Sequence, residues 1–329
     1  MAGKFGPGSA WLFVDGYDLR LMKLKGASFK IEALTEETDG LGDNFVDNTP
    51  TGKSRVTVAQ TGGLFDTAAG SSHAAFAAAM PSSPQATPRI LCCGLAGQTV
   101  GEMFYGIEGV FSSVYEVLAD LGLLTKANVE YKAVGQRDRG QILQPLADKT
   151  ADWNTKTLGT SVDYTADTLQ RVMPITSNSQ ANPTVVTTPV PHGLTTGDII
   201  LIAGVSGSSP TINGERTVTV ISATTFSVPV NTSGGTGGTG GSFVRANSAN
   251  GGVGYLHIKS ATGFTNFVAK IRDSADDTTY ADLITFDDSV TAPSAQRKTV
   301  SGVVDRYLSV DGNVTGTGSI TVFVGFARN

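Results

Sequence analysis

Alternating apolar segments recur along this chain and limit what it can fold into. In SITVFVGF (319–326), apolar side chains stand at every second position, at Ile320, Val322, Val324 and Phe326. Successive side chains of a β-strand point to opposite faces, so this segment predicts a strand that closes a sandwich. The whole chain is therefore predicted to be mainly β. Further strands are predicted at 11–14, 23–34, 54–59, 89–95, 102–108, 111–118, 254–259, 267–272, 298–303 and 306–310.

Composition agrees with this pattern and excludes some functions. The 329 residues include 40 glycines, and abundant Thr, Ser and Val favour short strands joined by turns. A chain of this length with 40% hydrophobic residues can build two or three domains with sizeable cores. The formal charge of −5 argues against general affinity for nucleic acid, which needs a basic surface. One short helix is predicted over 71–80, where a serine N-cap precedes an alanine-rich run that Pro81 ends.

A weak internal repeat predicts two similar lobes. LKGASFKIEAL (24–34) and LTKANVEYKAV (124–134) match at their apolar positions. After each, we expect a polar loop and then an alternating strand, SRVTVA in the first lobe and TSVDYTA (160–166) in the second. The predicted lobes are 1–123 and a discontinuous second lobe formed by 124–181 and 247–329.

The second lobe is interrupted by a segment of short strands and tight turns. Strands are predicted at 198–203, 216–221 and 225–228, separated by Gly, Asn-Gly and Ser-Gly turns. The run NTSGGTGGTGGS that follows is predicted to be a flexible return linker. Residues 182–246 are therefore interpreted as a small inserted β-domain, placed where a loop tip tolerates insertion.

A long acidic loop is predicted between the strands at 29–32 and 55–58. No lysine or arginine interrupts its acidic residues before Lys53. Loops of this length are usually functional or disordered, and so many like charges repel one another. We therefore expect a partner to order the loop. Its candidate functional residues are Glu36, Glu37, Asp39, Asp43 and Asp47.

Other potential sites lack the partners that their chemistry needs. The run 235–240 formally fits GxGxxG, but no helical pattern follows it, so the linker interpretation is preferred. His73, His192 and His257 have no second ligand at metal-binding spacing, and a structural or solvent-facing role is expected for each. The aspartates at 273, 276 and 277 suit a solvated turn better than an EF-hand loop. We expect no enzyme activity, no cofactor and no metal.

The adjacent Cys92 and Cys93 would point to opposite faces of a strand, which places them poorly to bridge each other. We expect two small buried thiols in a reducing compartment. No apolar run approaches the roughly 18 residues of a membrane span. The N-terminus also lacks an apolar stretch long enough for a signal peptide. A soluble protein made in the cytosol, without a membrane anchor, is expected.

Five segments are FVDGYDL (13–19), ALTEETDGLGDNFVDNTPTGKSRVTVAQTGGLFD (33–66), AVGQRDRG (133–140), KIRDSADDTTYADLITFDD (270–288) and TAPSAQRKTVSGVVDRYLSV (291–310). These segments resemble the major tail tube proteins of long-tailed bacteriophages, of the two-lobed type. The segment 191–228 is similar to a small β-module appended to many phage structural proteins.

This resemblance implies sandwich or barrel lobes, each with at most one short helix, whose sheets join those of neighbouring subunits around a hollow tube. Three two-lobed chains would form a ring with pseudo-six-fold symmetry, and rings would stack into the tube through which DNA is ejected. The expected partners are other copies of the chain, the tape-measure protein, and the tail-terminator and baseplate proteins. The expected location is the virion, after synthesis in the host cytoplasm.

Two points leave this interpretation open. The corresponding loop of the second lobe, predicted at 136–152, contains Arg137, Arg139 and Lys149 and is not uniformly acidic.

The alternative function is a carbohydrate-binding or adhesin-like virion protein built of β-sandwiches. Its weakness is the small supply of aromatic side chains for stacking on sugars, 8% of residues with two tryptophans.

Overall fold

The structure is a computed structural model, and the fold is mainly β, as the alternation predicts. The predicted helix over 71–80, together with His73, lies outside the residues that the structure describes. Those residues are 10–19, 26–37, 48–64, 89–119, 125–133, 135, 137–167 and 170–329.

The strands confirm most of the predicted segments and fuse several of them into longer elements. A 3-10 turn at Tyr164–Ala166 follows β10. In chain order the strands are β1 (Trp11–Val14), β2 (Tyr17–Asp18), β3 (Gly26–Glu37), β4 (Asn48–Leu64), β5 (Arg89–Gly94), β6 (Met103–Leu118), β7 (Lys126–Ala133), β8 (Arg137–Lys149), β9 (Trp153–Asn154), β10 (Val162–Asp163), β11 (Met173–Pro174), β12 (Ser177–Asn178), β13 (Thr184–Thr187), β14 (Ile199–Ala203), β15 (Gly214–Thr217), β16 (Thr219–Ser222), β17 (Thr225–Val228), β18 (Ser242–Arg245), β19 (Gly252–Ser274), β20 (Ala281–Thr285), β21 (Ser294–Val300) and β22 (Tyr307–Arg328).

Strand β6 is the branch point of the main sheet, which contains fourteen of the described strands. Its first half, 103–107, pairs with β8, and its second half, 110–118, pairs with β7. We call the strands β3, β4, β7 and the second half of β6 the hairpin wing. The strands β8, β22 and β19 form the long wing, in which β19 also pairs with β20 and β21.

Each wing covers a hydrophobic cluster. Beneath the hairpin wing, Val58, Val129 and Tyr131 pack with side chains from β1, β5 and β6. Beneath the long wing, a second cluster collects side chains of β19, β20 and β22. A third cluster joins β1 to β19 and β22 through Phe13, Tyr255 and other aromatic rings. Strand β7 thus packs in the same cluster as residues 12–110, although its sequence resembles that of β3. The predicted lobe boundaries stay a prediction.

Residues 173–245 form two four-stranded sheets around a cluster of their own. One sheet has the order β11-β18-β14-β15 and the other the order β12-β13-β17-β16. Ile200, Val218 and Phe226 are fully buried between them. We call this unit the small sandwich.

Two predictions about the second lobe are wrong. The segment 136–152, expected to be a loop, forms β8 over most of its length, and Asp138, Gly140 and Ile142 point alternately inward. Its basic residues occupy the more exposed positions, and they hid this pattern in the sequence. The segment 160–166, expected to be an alternating strand, pairs only at Val162 and Asp163. The Asp163 carboxylate then accepts the N–H of Thr165 at 2.9 Å and turns the chain away from the sheet.

The glycine-rich run is not a flexible linker. Thr236 and Ser209 exchange two backbone hydrogen bonds of 3.0 Å, and Thr239 pairs with Ser206 in the same way. A Cβ added at Gly235 would lie 1.8 Å from the Ser209 carbonyl oxygen. Glycine is therefore required here for close approach of two backbones, and the run is an ordered strap across the small sandwich.

Candidate assembly arm

The β3–β4 hairpin extends beyond the sheet that it belongs to. Strand β7 pairs with β4 only up to Thr57, which lies opposite Lys132. Strands β3 and β4 continue to pair with each other as far as Glu37 and Asn48. The residues past this point, 31–37 and 48–56, form a two-stranded ribbon that we call the arm. Within the described residues, the arm has no other strand beside it.

The arm corrects the predicted length of the acidic loop. The ladder continues past the expected end of the first strand, with a bulge between Ala33 and Thr35, and Thr35 lies opposite Pro50. Proline donates no hydrogen bond, and it is tolerated here because β4 has no described partner on its other side at this point. The connection between the two strands therefore shortens to 38–47.

The structure places two of the five predicted site residues. Glu36 lies opposite Thr49 and Glu37 opposite Asn48, at the far end of the arm. Asp39, Asp43 and Asp47 lie outside the described residues. The two glutamates thus lie in the described part of the arm that is farthest along the ladder from Thr57.

The base of the arm is anchored by ring contacts. Phe29 stacks on Tyr105 with 4.6 Å between ring centroids, and the Arg137 guanidinium lies 5.5 Å from the same tyrosine ring. Lys30 forms an ion pair with Glu32. The hydrogen bond from Lys30 lowers the pKa of Glu32. The arm therefore starts from a fixed base, and the orientation of the sheet determines the direction in which the arm extends.

The outer face of the hairpin wing is not acidic. Glu130 and Lys132 alternate with the buried Val129 and Tyr131, which identifies the face opposite the hydrophobic cluster. Glutamates at 32, 116 and 130 share this face with basic residues at 30, 55, 126 and 132. A strongly negative charge in this region would have to come from the arm and the segment 38–47.

Both described histidines have structural roles, as the sequence predicts. His257 is fully buried, its Nδ1 accepts the N–H of Gly16 at 3.1 Å, and burial lowers its pKa to about 3. His192 accepts the N–H of Leu194 at Nδ1, 2.9 Å away. Its Nε2 then donates to the Ser222 carbonyl oxygen, also at 2.9 Å. Both rings stabilise backbone turns.

The aspartate-rich turn and the cysteines show no chemistry of their own. Asp276 accepts the N–H groups of Thr278 and Thr279, each at 2.9 Å, and closes a turn. Among the described residues, no three His, Cys, Asp or Glu side chains are grouped so that they could hold a metal ion. Cys92 and Cys93 are free and buried, as predicted. Burial raises the pKa of the Cys92 thiol well above its usual range and that of Cys93 to about 12.

Sequence reasoning missed a buried polar network that links β8, β19 and β21. Tyr255 donates a hydrogen bond from its hydroxyl to Asp138. Arg297 donates to Asp138 at 3.1 Å and to the Tyr255 hydroxyl oxygen at 3.1 Å, and it pairs with Glu108 at 2.7 Å. The alternation in GYLHIK was the available signal, because it places Tyr255 on the face of β19 shared with His257. The network is satisfied internally and serves packing.

Comparisons with known proteins identify no family for this chain. No protein-family model matches it, and no curated protein matches it. Among solved structures, the chain is similar to the Dit protein of phage SPP1, which is described as a paradigm of hub adsorption apparatus in phages that infect Gram-positive bacteria. The two sequences are 11% identical and the TM-score is 0.24. The match covers 96% of this chain and 98% of the Dit chain. A triple-jelly-roll protein of an archaeal virus turret is 10% identical with a TM-score of 0.18, over 92% and 89% of the two chains. TM-scores this low do not establish a shared fold. In the part of the chain that the structure describes, no helix is long and apolar enough to cross a membrane.

Proposed function

We propose that this protein is a structural subunit of a phage virion that self-assembles into stacked rings, which form the hollow tail tube through which DNA is ejected. The observation that carries the proposal is the arm, a paired ribbon that extends past the sheet and has Glu36 and Glu37 at its far end. The resemblance of the segment 33–66 to tail tube proteins gives the arm its role in contact between rings.

The physical argument starts from the weakness of an isolated ribbon. A two-stranded hairpin alone in water is at best marginally stable. The arm is such a hairpin beyond Thr57, and its continuation 38–47 adds three aspartates without any basic residue. A partner surface that pairs with its backbone or neutralises its carboxylates would stabilise it. The neighbouring ring supplies such a surface, and we expect contact with that ring before contact with DNA.

Contacts within a ring require a second surface. Among the described strands, β3 pairs only with β4, so no other described strand lies along its second edge. Such edges are templates for a strand of another chain. A head-to-tail contact of this kind closes into a ring when the rotation between subunits allows it. We propose a trimer with pseudo-six-fold symmetry, with the tape-measure protein inside the tube and the terminator and baseplate proteins at its ends.

DNA passage requires a wall that does not bind phosphates. The outer face of the hairpin wing carries nearly balanced charge and has no continuous basic stripe. Non-specific DNA affinity comes from neutralised phosphates, so a wall of this kind would bind DNA weakly. The acidic arms would add repulsion.

The adhesin alternative gains no support from the aromatic side chains. Trp11 is only 3% exposed and belongs to the core that joins β1 to β19 and β22. Trp153 stacks on Phe267 and lies beneath the Lys149 ammonium group. Neither tryptophan forms an open platform for a sugar ring.

The experiment that tests the proposal changes the arm and measures polymer length by sedimentation velocity. Neutralising Glu36, Glu37, Asp39, Asp43 and Asp47 to the corresponding amides is expected to abolish polymers or change their salt dependence. A second variant replaces 38–47 by Asn-Gly, because Glu37 and Asn48 lie opposite each other in the register that a two-residue turn closes. It is expected to form single rings without stacking.

The control for charge uses two glutamates outside the arm, Glu116 in β6 and Glu102 directly before β6. A two-residue arm variant, Glu36→Gln with Glu37→Gln, should weaken polymerisation. Glu102→Gln with Glu116→Gln removes the same two charges elsewhere and should leave polymerisation unchanged. Unaltered polymers in the arm variants, with circular dichroism matching the wild type, would contradict the proposed role of the arm.

A further inference from the structure

A cleft between the small sandwich and the main sheet is lined by an excess of arginine. Its volume is about 370 Å³, within the range of pockets that hold small ligands. Residues from both units line it, including Tyr164 from the main body and His192 and Phe243 from the small sandwich. The chain as a whole is acidic, but the charged groups that line the cleft are Arg139, Arg171, Arg245 and a single carboxylate, Asp167.

Part of the cleft wall is held rigidly by hydrogen bonds. Gln170 accepts the backbone N–H of Arg245 at 3.0 Å and donates to the Tyr164 carbonyl oxygen at 2.6 Å. The Arg328 guanidinium lies 4.2 Å from the centre of the Tyr164 ring. This part of the wall is therefore fixed before any ligand arrives, which reduces the entropy cost of binding.

The arginines differ in what they already bind. Arg245 pairs with the buried Asp198 at 3.5 Å and donates to the Gly193 carbonyl oxygen. Arg139 and Arg171 form no ion pair or side-chain hydrogen bond with any residue that the structure describes, and both are exposed. Two guanidinium groups are thus available at the mouth of a preformed cleft.

We propose that this cleft binds a small anion whose binding group is a phosphate or a carboxylate. A guanidinium presents a planar fork of N–H donors that matches the oxygens of these anions, and such charge-assisted hydrogen bonds are the strong ones. His192 takes no part, since both of its ring nitrogens are occupied by backbone groups. The small sandwich therefore completes a binding site with the main body. This role does not depend on tube assembly.

The test is calorimetric titration of the full chain with inorganic phosphate, against sodium chloride at matched ionic strength. Glycerol 3-phosphate, glucuronate and glucose follow as separate ligands, which distinguishes phosphate from carboxylate and either anion from a neutral sugar. Saturable binding of at least one of the anionic ligands is expected, with none for glucose. In the double variant Arg139→Gln/Arg171→Gln, the dissociation constant should rise at least about tenfold.

A matched control removes two positive charges away from the cleft. Arg55→Gln with Lys259→Gln should bind like the wild type, since neither residue lines the cleft. Equal affinity of the arginine double variant and the wild type would overturn the proposal. So would the absence of binding to every anion, or binding of chloride and glucose that matches phosphate. Melting temperatures of all variants establish that each is folded.

Discussion

Replacing Arg306 tests how the small sandwich is attached to the main sheet. Arg306 donates to the Asp163 carboxylate at 2.8 and 2.7 Å, to the Thr165 hydroxyl at 3.0 Å, and to the Glu215 carboxylate of the small sandwich at 2.6 Å. Its side chain is 18% exposed and that of Asp163 is 28% exposed. The substitution Arg306→Gln leaves a half-buried carboxylate without its bidentate partner. Removing one member of a fully buried pair costs about 3–5 kcal/mol, and the partial exposure reduces the expected loss to about 2 kcal/mol.

The loss should depend on pH in a direction fixed by Asp163. Burial alone would raise the pKa of Asp163, but hydrogen bonds from Arg306 and Thr165 outweigh burial and lower it below its usual 3.8. A carboxyl whose folded pKa is depressed adds stability above its unfolded pKa, and this stability is lost as pH falls through the folded value. The difference between wild type and Arg306→Gln should therefore be full at pH 7 and shrink below about pH 4.

The assay is urea unfolding followed by circular dichroism at pH 7 and at pH 3, with the free-energy difference taken from the midpoint shift. Glu215→Gln is the matched control, because Glu215 is 39% exposed and an exposed pair contributes at most about 1 kcal/mol. A change below about 0.5 kcal/mol for Arg306→Gln at pH 7, or an undiminished change at pH 3, would refute this reasoning.

Three further predictions follow from close contacts and buried groups. In the glycine strap, Gly237→Ala would place a Cβ 2.5 Å from a backbone oxygen and should cost about 1–3 kcal/mol in urea unfolding, whereas Gly234→Ala has open space and should be neutral. Burial lowers the pKa of His257 from 6.5 to about 3, so the free energy of unfolding should decrease as the pH is lowered from 6.5 to 3. The variant His257→Gln should lose this part of the pH dependence, and an unchanged profile would contradict the prediction. Cys92 and Cys93 should resist a thiol reagent in the folded protein and react once urea unfolds it; rapid labelling of the native protein would show that they are accessible.

Local alternation predicted where strands form, but it did not predict which strands are buried on both faces. Ile320, Val322, Val324 and Phe326 are buried on one face of β22, as expected. Phe323 on the opposite face is buried as well, because it packs with Trp11 and Phe13 in the core that joins β1 to β19 and β22. Those contacts come from residues some 300 positions apart, and no local pattern reports them.

Two predictions that rested on charge and on glycine content were wrong, because the sequence does not show which distant residues contact a segment. Basic residues made 136–152 look like a loop, although the alternate positions face inward between β6 and β22. The glycine run looked flexible because its sequence does not reveal the backbone at Ser206 and Ser209 that it contacts. The sequence shows the acidic residues of the arm, but the register that places Glu36 and Glu37 at its far end required the structure.

Negative-stain electron microscopy of the purified full chain tests self-assembly most directly. If the arm and the open sheet edge work as proposed, the protein forms hollow filaments with a regular axial repeat, built of rings with six similar lobes. Monodisperse particles at all concentrations and salt conditions, without rings or filaments, would contradict the account.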